Sequence, residues 1–194
     1  MKTLGITFCL LVLISCQKKI HFIINNDNVE TGSEVFIGQK KMNLYSGKLQ
    51  IGDNLNHLFK KYFGQPYIKN VSVINIVPSI DTPVCESQTH SLGESKLLNP
   101  AIGRLTISRD LPMAQTRFAQ AANLENITYL SDYKYGAFGK STGLLMEGKE
   151  LLARAIIVTD QAGIIKYIQV VSNIKELPNM DKAYTFANKL FLNK

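Results

Sequence analysis

The stretch Val71-Ser-Val-Ile-Asn-Ile-Val77 runs without a break into Pro78-Ser-Ile-Asp-Thr-Pro-Val-Cys85. Its first seven residues are nearly all apolar and β-branched, the pattern of a central strand buried on both faces. The segment after it reads as a helix start, with Thr82 at the N-cap and Pro83 at the first helical position, where its missing N–H costs nothing. Cys85 then falls in the first helical turn, where unpaired N–H groups and the positive end of the helix dipole favour thiolate over thiol. In an open α/β sheet, ligands bind at the carboxyl ends of the strands, so position alone makes this corner a candidate site. A lone Cys is more often a small buried hydrophobe. Placement by itself leaves both readings open.

Upstream, Val35-Phe-Ile37 and Met42-Asn-Leu-Tyr45, joined by Gly38 to Lys41, read as a β-hairpin. Gly52-Asp53 marks a turn, and Leu55 to Phe63 fits a helix or a loop. Downstream, Glu86 to Leu98 is expected to be helical, stopped by Asn99-Pro100. Leu105 to Ser108 reads as a strand, Asp110 as the cap of a helix running to Asn123, and Ile127 to Leu130 as a short strand. Leu151 to Val158 and Ile164 to Val171 read as strands joined by the turn Asp160-Gln-Ala-Gly163, before a closing helix from Met180 to Phe191. This order predicts an α/β fold: a mixed central sheet flanked by helices on both faces, with an N-terminal β-hairpin.

A length of 194 residues gives one domain plus an appendage. An apolar share of 45% excludes a disordered chain, and three Cys are too few for a disulfide scaffold. The appendage is N-terminal. Met1-Lys2 is followed by an eleven-residue apolar run, Leu4 to Ile14, which falls short of a membrane-spanning helix. The run ends in Leu13-Ile-Ser-Cys16 before Gln17-Lys18-Lys19, a pattern that resembles a bacterial lipobox. Residues 1–15 are thus expected to be a signal peptide, 16–34 an acylated Cys16 and polar spacer, and 35–194 the folded domain. Cleavage discards Cys9 and Lys2, leaves Cys85 as the free thiol, and lowers the net charge from +7 to +6. The lipid would tether the domain to a membrane on the periplasmic or outer-membrane side, with Lys18 and Lys19 near its headgroups.

Pro78-x-x-x-Thr82-x-x-Cys85 is similar to the active-site motif of peroxiredoxins, and Pro78 to Cys85 as a whole resembles their thiol peroxidase subfamily. The likeness extends to Val35-Phe-Ile-Gly38, Leu49-Gln-Ile-Gly-Asp53, Leu105 to Gln115, Tyr129 to Tyr133 and Leu151 to Ala155, in order. The resemblance implies a thioredoxin-like fold and an enzyme reducing hydrogen peroxide or organic hydroperoxides. It makes Cys85 the peroxidatic nucleophile, which is left as sulfenic acid. It has Thr82 hold the peroxide, Pro78 shield the thiolate from water, and Arg154, on a neighbouring strand, steady charge beside the sulfur. No metal or organic cofactor is required, since sulfur carries both electrons. The resemblance also suggests a homodimer.

Two departures stand out. The subfamily usually carries a second, resolving Cys in the helix after Asp110-Leu-Pro112; Ala119 occupies the aligned position here. An external thiol, thioredoxin-like or of low molecular weight, must then clear the sulfenic acid. Asn54-Leu-Asn-His-Leu58 also replaces the family's usual sequence after Gly-Asp, and residues 59–70 are too few for its strand pair.

Other chemistries fit less well. A dithiol oxidoreductase needs a Cys at position 88, which is Gln88, and His21, His57 and His90 lack metal-ligand spacing. His90 points away from Cys85 on a helix, which excludes a hydrolase dyad. The Lys pairs at 40–41 and 60–61 lack the aromatic interleaving of a nucleic-acid surface, and Gly143 to Gly148 lacks phosphate-loop spacing. The alternative function is a membrane-tethered redox sensor or binding module of the same fold, with little turnover.

Overall fold

The computed structural model describes residues 22–193. The expected signal peptide, Cys9, Cys16, Lys18, Lys19 and His21 lie outside the described residues. The elements are β1 (Ile24–Asn25), β2 (Glu34–Ile37), β3 (Lys40–Asn43), α1 (Leu55–Phe63), β4 (Ser72–Ile76), α2 (Pro83–Glu94) and β5 (Gly103–Ser108). They continue with α3 (Pro112–Ala121), β6 (Thr128–Ser131), α4 (Ala137–Thr142), β7 (Ala155–Thr159), β8 (Ile165–Val170), β9 (Leu177–Pro178) and α5 (Met180–Leu192).

The apolar stretch at 71–77 does become the middle strand. The main sheet has the order β6-β5-β4-β7-β8; β4, β5, β6 and β8 run one way, and β7, paired antiparallel with both β4 and β8, runs the other. Every residue of β4 is buried, because both faces of the sheet are covered. Ile74 and Ile76 point into a core with Leu55, Phe59 and Phe138, from α1 and α4. Val73 points into a second core with Leu92 of α2 and Ala183 and Tyr184 of α5, against which Phe118 of α3 also packs. The arrangement is the thioredoxin-like α/β fold, preceded by the expected β2–β3 hairpin.

Several expectations need correction. The spacer reading of 17–34 fails for the described part, residues 22–34. β1 pairs in parallel with β9, Val29 N–H donates to Val170 O (2.9 Å), and the Asn25 amide donates to Ser172 (3.1 Å) and Glu176 (2.7 Å). Of the two readings open for residues 55–63, helix rather than loop is found: Asn54 accepts from His57 N–H, and Gly64 closes the helix at φ 88°, a left-handed conformation that costs glycine little. The Asn56 amide then binds the backbone of Ile68 in both directions, at 2.8 and 2.9 Å. One helix and one side-chain clamp thus fill the place of a strand pair. Helix α2 stops at Glu94 rather than Leu98, because Arg104 takes the carbonyls of Leu92 and Leu98 (3.1 and 3.2 Å). β7 begins only at Ala155, since Leu152 bridges Leu145 instead of β4. The short helix α4 was not anticipated.

Asp132 explains why so short a helix forms. Buried at 4% exposure, its carboxylate accepts from the N–H groups of Phe138 (3.0 Å) and Gly139 (2.9 Å) in the first turn of α4. Burial pushes this carboxyl above its ordinary value, more than those two N–H groups pull it down. The folded chain therefore holds the proton more tightly than the unfolded one. The stability this contributes is full at low pH and is lost as pH rises past the ordinary value of about 4 and through the higher folded one. Asp132→Asn removes the titration. The stability of the wild type minus that of the variant, from urea melts, is expected to fall as pH rises from about 3 and then level off. A difference that grows over that range contradicts the assignment.

Candidate active site

The ladder between β4 and β5 closes with Val77 N–H donating to Ile107 O (3.0 Å). Pro78 follows, buried, and its lack of an N–H lets the chain leave the sheet without orphaning a donor. The loop that turns back is held from the end of β5: the Asp110 carboxylate accepts from Ser79 Oγ (2.6 Å) and from Ile80 N–H (2.8 Å). Asp110 is therefore not the cap of α3. That position is Leu111, whose side chain cannot cap, with Pro112 at the helix start.

Thr82 and Pro83 start α2 as the sequence predicts, and Thr82 O accepts the first helical bond from Glu86 N–H (2.9 Å). The Thr82 side chain, however, does not cap the helix. Exposed, its hydroxyl lies 3.5 Å from Ser79 O, too far for a firm bond, and so stays available to a ligand. Cys85 sits in the first turn, fully buried against Val77, Ile80 and Phe118. It is the one thiol among the described residues.

Arg154 meets Cys85 although 69 residues separate them. The antiparallel pairing of β4 with β7 sets Ala155 opposite Ile76, so the residue before Ala155 arrives at the carboxyl end of β4. There the guanidinium is 2% exposed and spends its donors on three partners. Nη2 lies 3.2 Å from Cys85 Sγ, Nη1 donates to Gln88 Oε1 (2.8 Å), and Nε donates to Ile174 O (2.8 Å). Burial pulls the guanidinium below its usual value, while the neighbouring Cys85 pulls it back up. A cation held there favours negative charge on the sulfur and on anything bound beside it.

Gln88 is the residue that sequence reasoning missed, having been considered only as an absent Cys. Three positions after Cys85, it shares that residue's face of α2. Its amide nitrogen donates to Ala155 O (3.0 Å), which leaves Oε1 aimed at Arg154, and its own carbonyl accepts from Asn75 Nδ2 (3.1 Å). The i,i+3 spacing was legible; the contribution of the Ile174 carbonyl was not.

His90 sits where the helix geometry predicted, away from the sulfur. It lies between Glu94 (2.9 Å) and Glu86 (3.8 Å), and its ring meets that of Phe118 edge-on. Ala119 is buried in α3. The described residues include no cluster of His, Cys, Asp or Glu able to hold a metal ion.

Comparison with known proteins shows the family. The family model described as Redoxin matches residues 60–184. The thiol peroxidase of Oceanobacillus iheyensis is 32% identical over 164 residues, covering 81% of this chain and 99% of that one. The thiol peroxidase of Staphylococcus haemolyticus is 38% identical over 161 residues, covering 82% and 92%. Among solved structures, a peroxiredoxin-like protein from Aquifex aeolicus superposes with a TM-score of 0.70 at 31% identity, covering 84% of this chain and 99% of that one. The chain belongs to the Redoxin family, as an enzyme of the thiol peroxidase, peroxiredoxin type.

Proposed function

We propose that Cys85 is the only sulfur taking part in catalysis, and that a thiol from another molecule resolves it. The Cys85 thiolate attacks the terminal oxygen of hydrogen peroxide or an organic hydroperoxide, forming an S–O bond as the O–O bond breaks. The electron pair leaves with the distal oxygen, which takes a proton and departs as water or an alcohol. Arg154 steadies the charge moving onto that oxygen, the Thr82 hydroxyl holds the peroxide, and Pro78 keeps water off the sulfur. The sulfenic acid then reacts with one donor thiol, forming a mixed disulfide and releasing water. A second donor thiol frees Cys85 and leaves as the donor disulfide.

The observation that carries this reading is the 3.2 Å contact from the buried Arg154 Nη2 to the buried Cys85 Sγ, in the first turn of the helix that Thr82 opens. The lack of any other described thiol supports external resolution. On the lipobox pattern, the mature chain is anchored by lipid on Cys16 to the periplasmic or outer-membrane side.

The test is oxidation of the purified chain with one equivalent of hydrogen peroxide. A sulfenic-acid trap is expected to label Cys85 once per chain, with no intramolecular disulfide, and dithiothreitol is expected to restore repeated turnover. A disulfide joining Cys85 to another Cys of the same chain sinks the one-sulfur reading. Oxidation without thiol-supported turnover points instead to the redox-sensor alternative.

A further inference from the structure

We infer that residues 23–29, which precede the hairpin, form an arm that belongs to the working site: it holds the segment whose carbonyl aims Arg154, with Asn25 as the positioning residue. This rests on the reading of Arg154 as the group that steadies charge at Cys85. Beyond β8 the chain leaves the ladder. Val171 N–H still donates to Arg154 O (3.1 Å), but the next residues pair with no strand of the main sheet. Yet this segment, 172–176, carries Ile174, whose carbonyl takes Arg154 Nε at 2.8 Å. Backbone outside a ladder keeps its place only through other partners. β2 supplies one set, with Phe36 N–H donating to Ser172 O (2.7 Å) and Ile174 N–H to Phe36 O (2.9 Å). The arm supplies another.

The arm brackets the segment at both ends. Before it, Val170 N–H donates to Asn28 Oδ1 and Val29 N–H to Val170 O, both at 2.9 Å, while the Gln169 amide donates to Asn25 O and Asp27 O (2.8 and 2.9 Å). After it, Leu177 N–H donates to Ile23 O (2.8 Å) and the Asn179 amide to Asn26 Oδ1 (2.8 Å). Asn25 reaches between these ends. It is 6% exposed, and its amide donates one hydrogen to Ser172 Oγ (3.1 Å) and the other to Glu176 Oε2 (2.7 Å), while its Oδ1 accepts from Asp27 N–H (2.7 Å). Ser172 Oγ in turn donates to Asp27 Oδ2 (2.7 Å). Both bonds that this amide can donate are thus spent on the segment holding Ile174, and an Ala in its place leaves the half-buried Glu176 carboxylate short of its closest donor. The guanidinium is a rigid plane, so a shift of Ile174 O at Nε tilts Nη2 off Cys85 Sγ. Misplacement on the order of 1 Å costs up to about a hundredfold in rate.

The test is a double-mutant cycle on the full-length chain, read by stopped-flow consumption of hydrogen peroxide with a urea melt of each variant. Asn25→Ala is expected to slow the wild type about tenfold. In an Arg154→Met background, where no guanidinium is left to aim, the same change is expected to move the rate by less than about twofold. A role confined to stability does not produce that coupling. Asn56→Ala, which breaks the clamp on Ile68 away from the site, is expected to lower the urea midpoint and leave the rate within about twofold of the wild type. Ser172→Ala removes a single hydroxyl from the bracket and gives the same cycle, with a loss of about threefold, if Asn25→Ala does not fold. Equal losses in both backgrounds overturn the proposal, as does a full-rate Asn25→Ala or a loss matched by Asn56→Ala. An Arg154→Met variant as fast as the wild type brings down the reading of Arg154 and this proposal with it. A slow Arg154→Met beside a fast Asn25→Ala brings down this proposal alone.

Discussion

Cys85→Ser is expected to lower the second-order rate constant for hydrogen peroxide at least a thousandfold, the largest effect of any single substitution in this chain. The loss follows from chemistry. A neutral hydroxyl at this position has no base within hydrogen-bond reach to take its proton, whereas a thiol ionises far more readily and is intrinsically the better nucleophile. The side chain is fully buried against Val77, Ile80 and Phe118, and the exchange of sulfur for oxygen leaves no cavity of consequence. The melting temperature is therefore expected to move by only a few degrees. Stopped-flow consumption of peroxide alongside a thermal melt reads both quantities. Undiminished consumption by the variant removes every reading in which Cys85 carries the chemistry.

Arg154→Lys is expected to cost about a hundredfold in the same rate constant, or ~2.7 kcal/mol of transition-state stabilisation. Charge is retained, but one ammonium cannot reach Ile174 O, Gln88 Oε1 and Cys85 Sγ together, as the planar fork does. Stability separates the electrostatic role from a structural one. Arg154→Met removes the buried cation but strands Gln88 Oε1 and Ile174 O without a donor, so the fold is expected to lose about 2 kcal/mol, while the rate falls further than in the Lys variant. Gln88→Leu costs the fold as much but the rate less. It keeps the cation, removes the acceptor for Nη1, and is expected to destabilise the fold by about 2 kcal/mol while slowing the reaction more modestly. Urea unfolding set beside the peroxide rate tests the ordering. Rates that merely follow stability across the three variants would reduce Arg154 to a core residue.

How much of the site could be read beforehand differs from residue to residue. Thr82, Pro83 and Cys85 are neighbours in sequence, and the geometry that unites them is one helical turn, so local rules place them correctly. The identity of the side-chain cap failed for a related reason. Thr82 has the residue type and backbone of an N-cap, but its hydroxyl does not close onto the helix, and no pattern of residue types reports a rotamer. Asp110 failed at longer range. Its sequence position fits a helix cap equally well, and only the approach of the 79–80 loop to the end of β5 gives its carboxylate better partners. Residues 55–63 stayed open between helix and loop because a helix of nine residues carries little propensity signal of its own. The clamp from Asn56 to Ile68, which settles the path beyond the helix, spans twelve residues.

By itself the sequence determined where the chain turns, which strand is buried on both faces, and that a thiol stands at a helix start, since each is a property of adjacent residues obeying backbone sterics and burial. Only the tertiary structure decided that a guanidinium from a distant segment comes within 3.2 Å of that thiol, aimed by Gln88 and Ile174. The reason is physical. Strand pairing couples residues across the chain with no energetic trace in either segment alone, and a buried cation is tolerable only once all of its partners have been assembled around it.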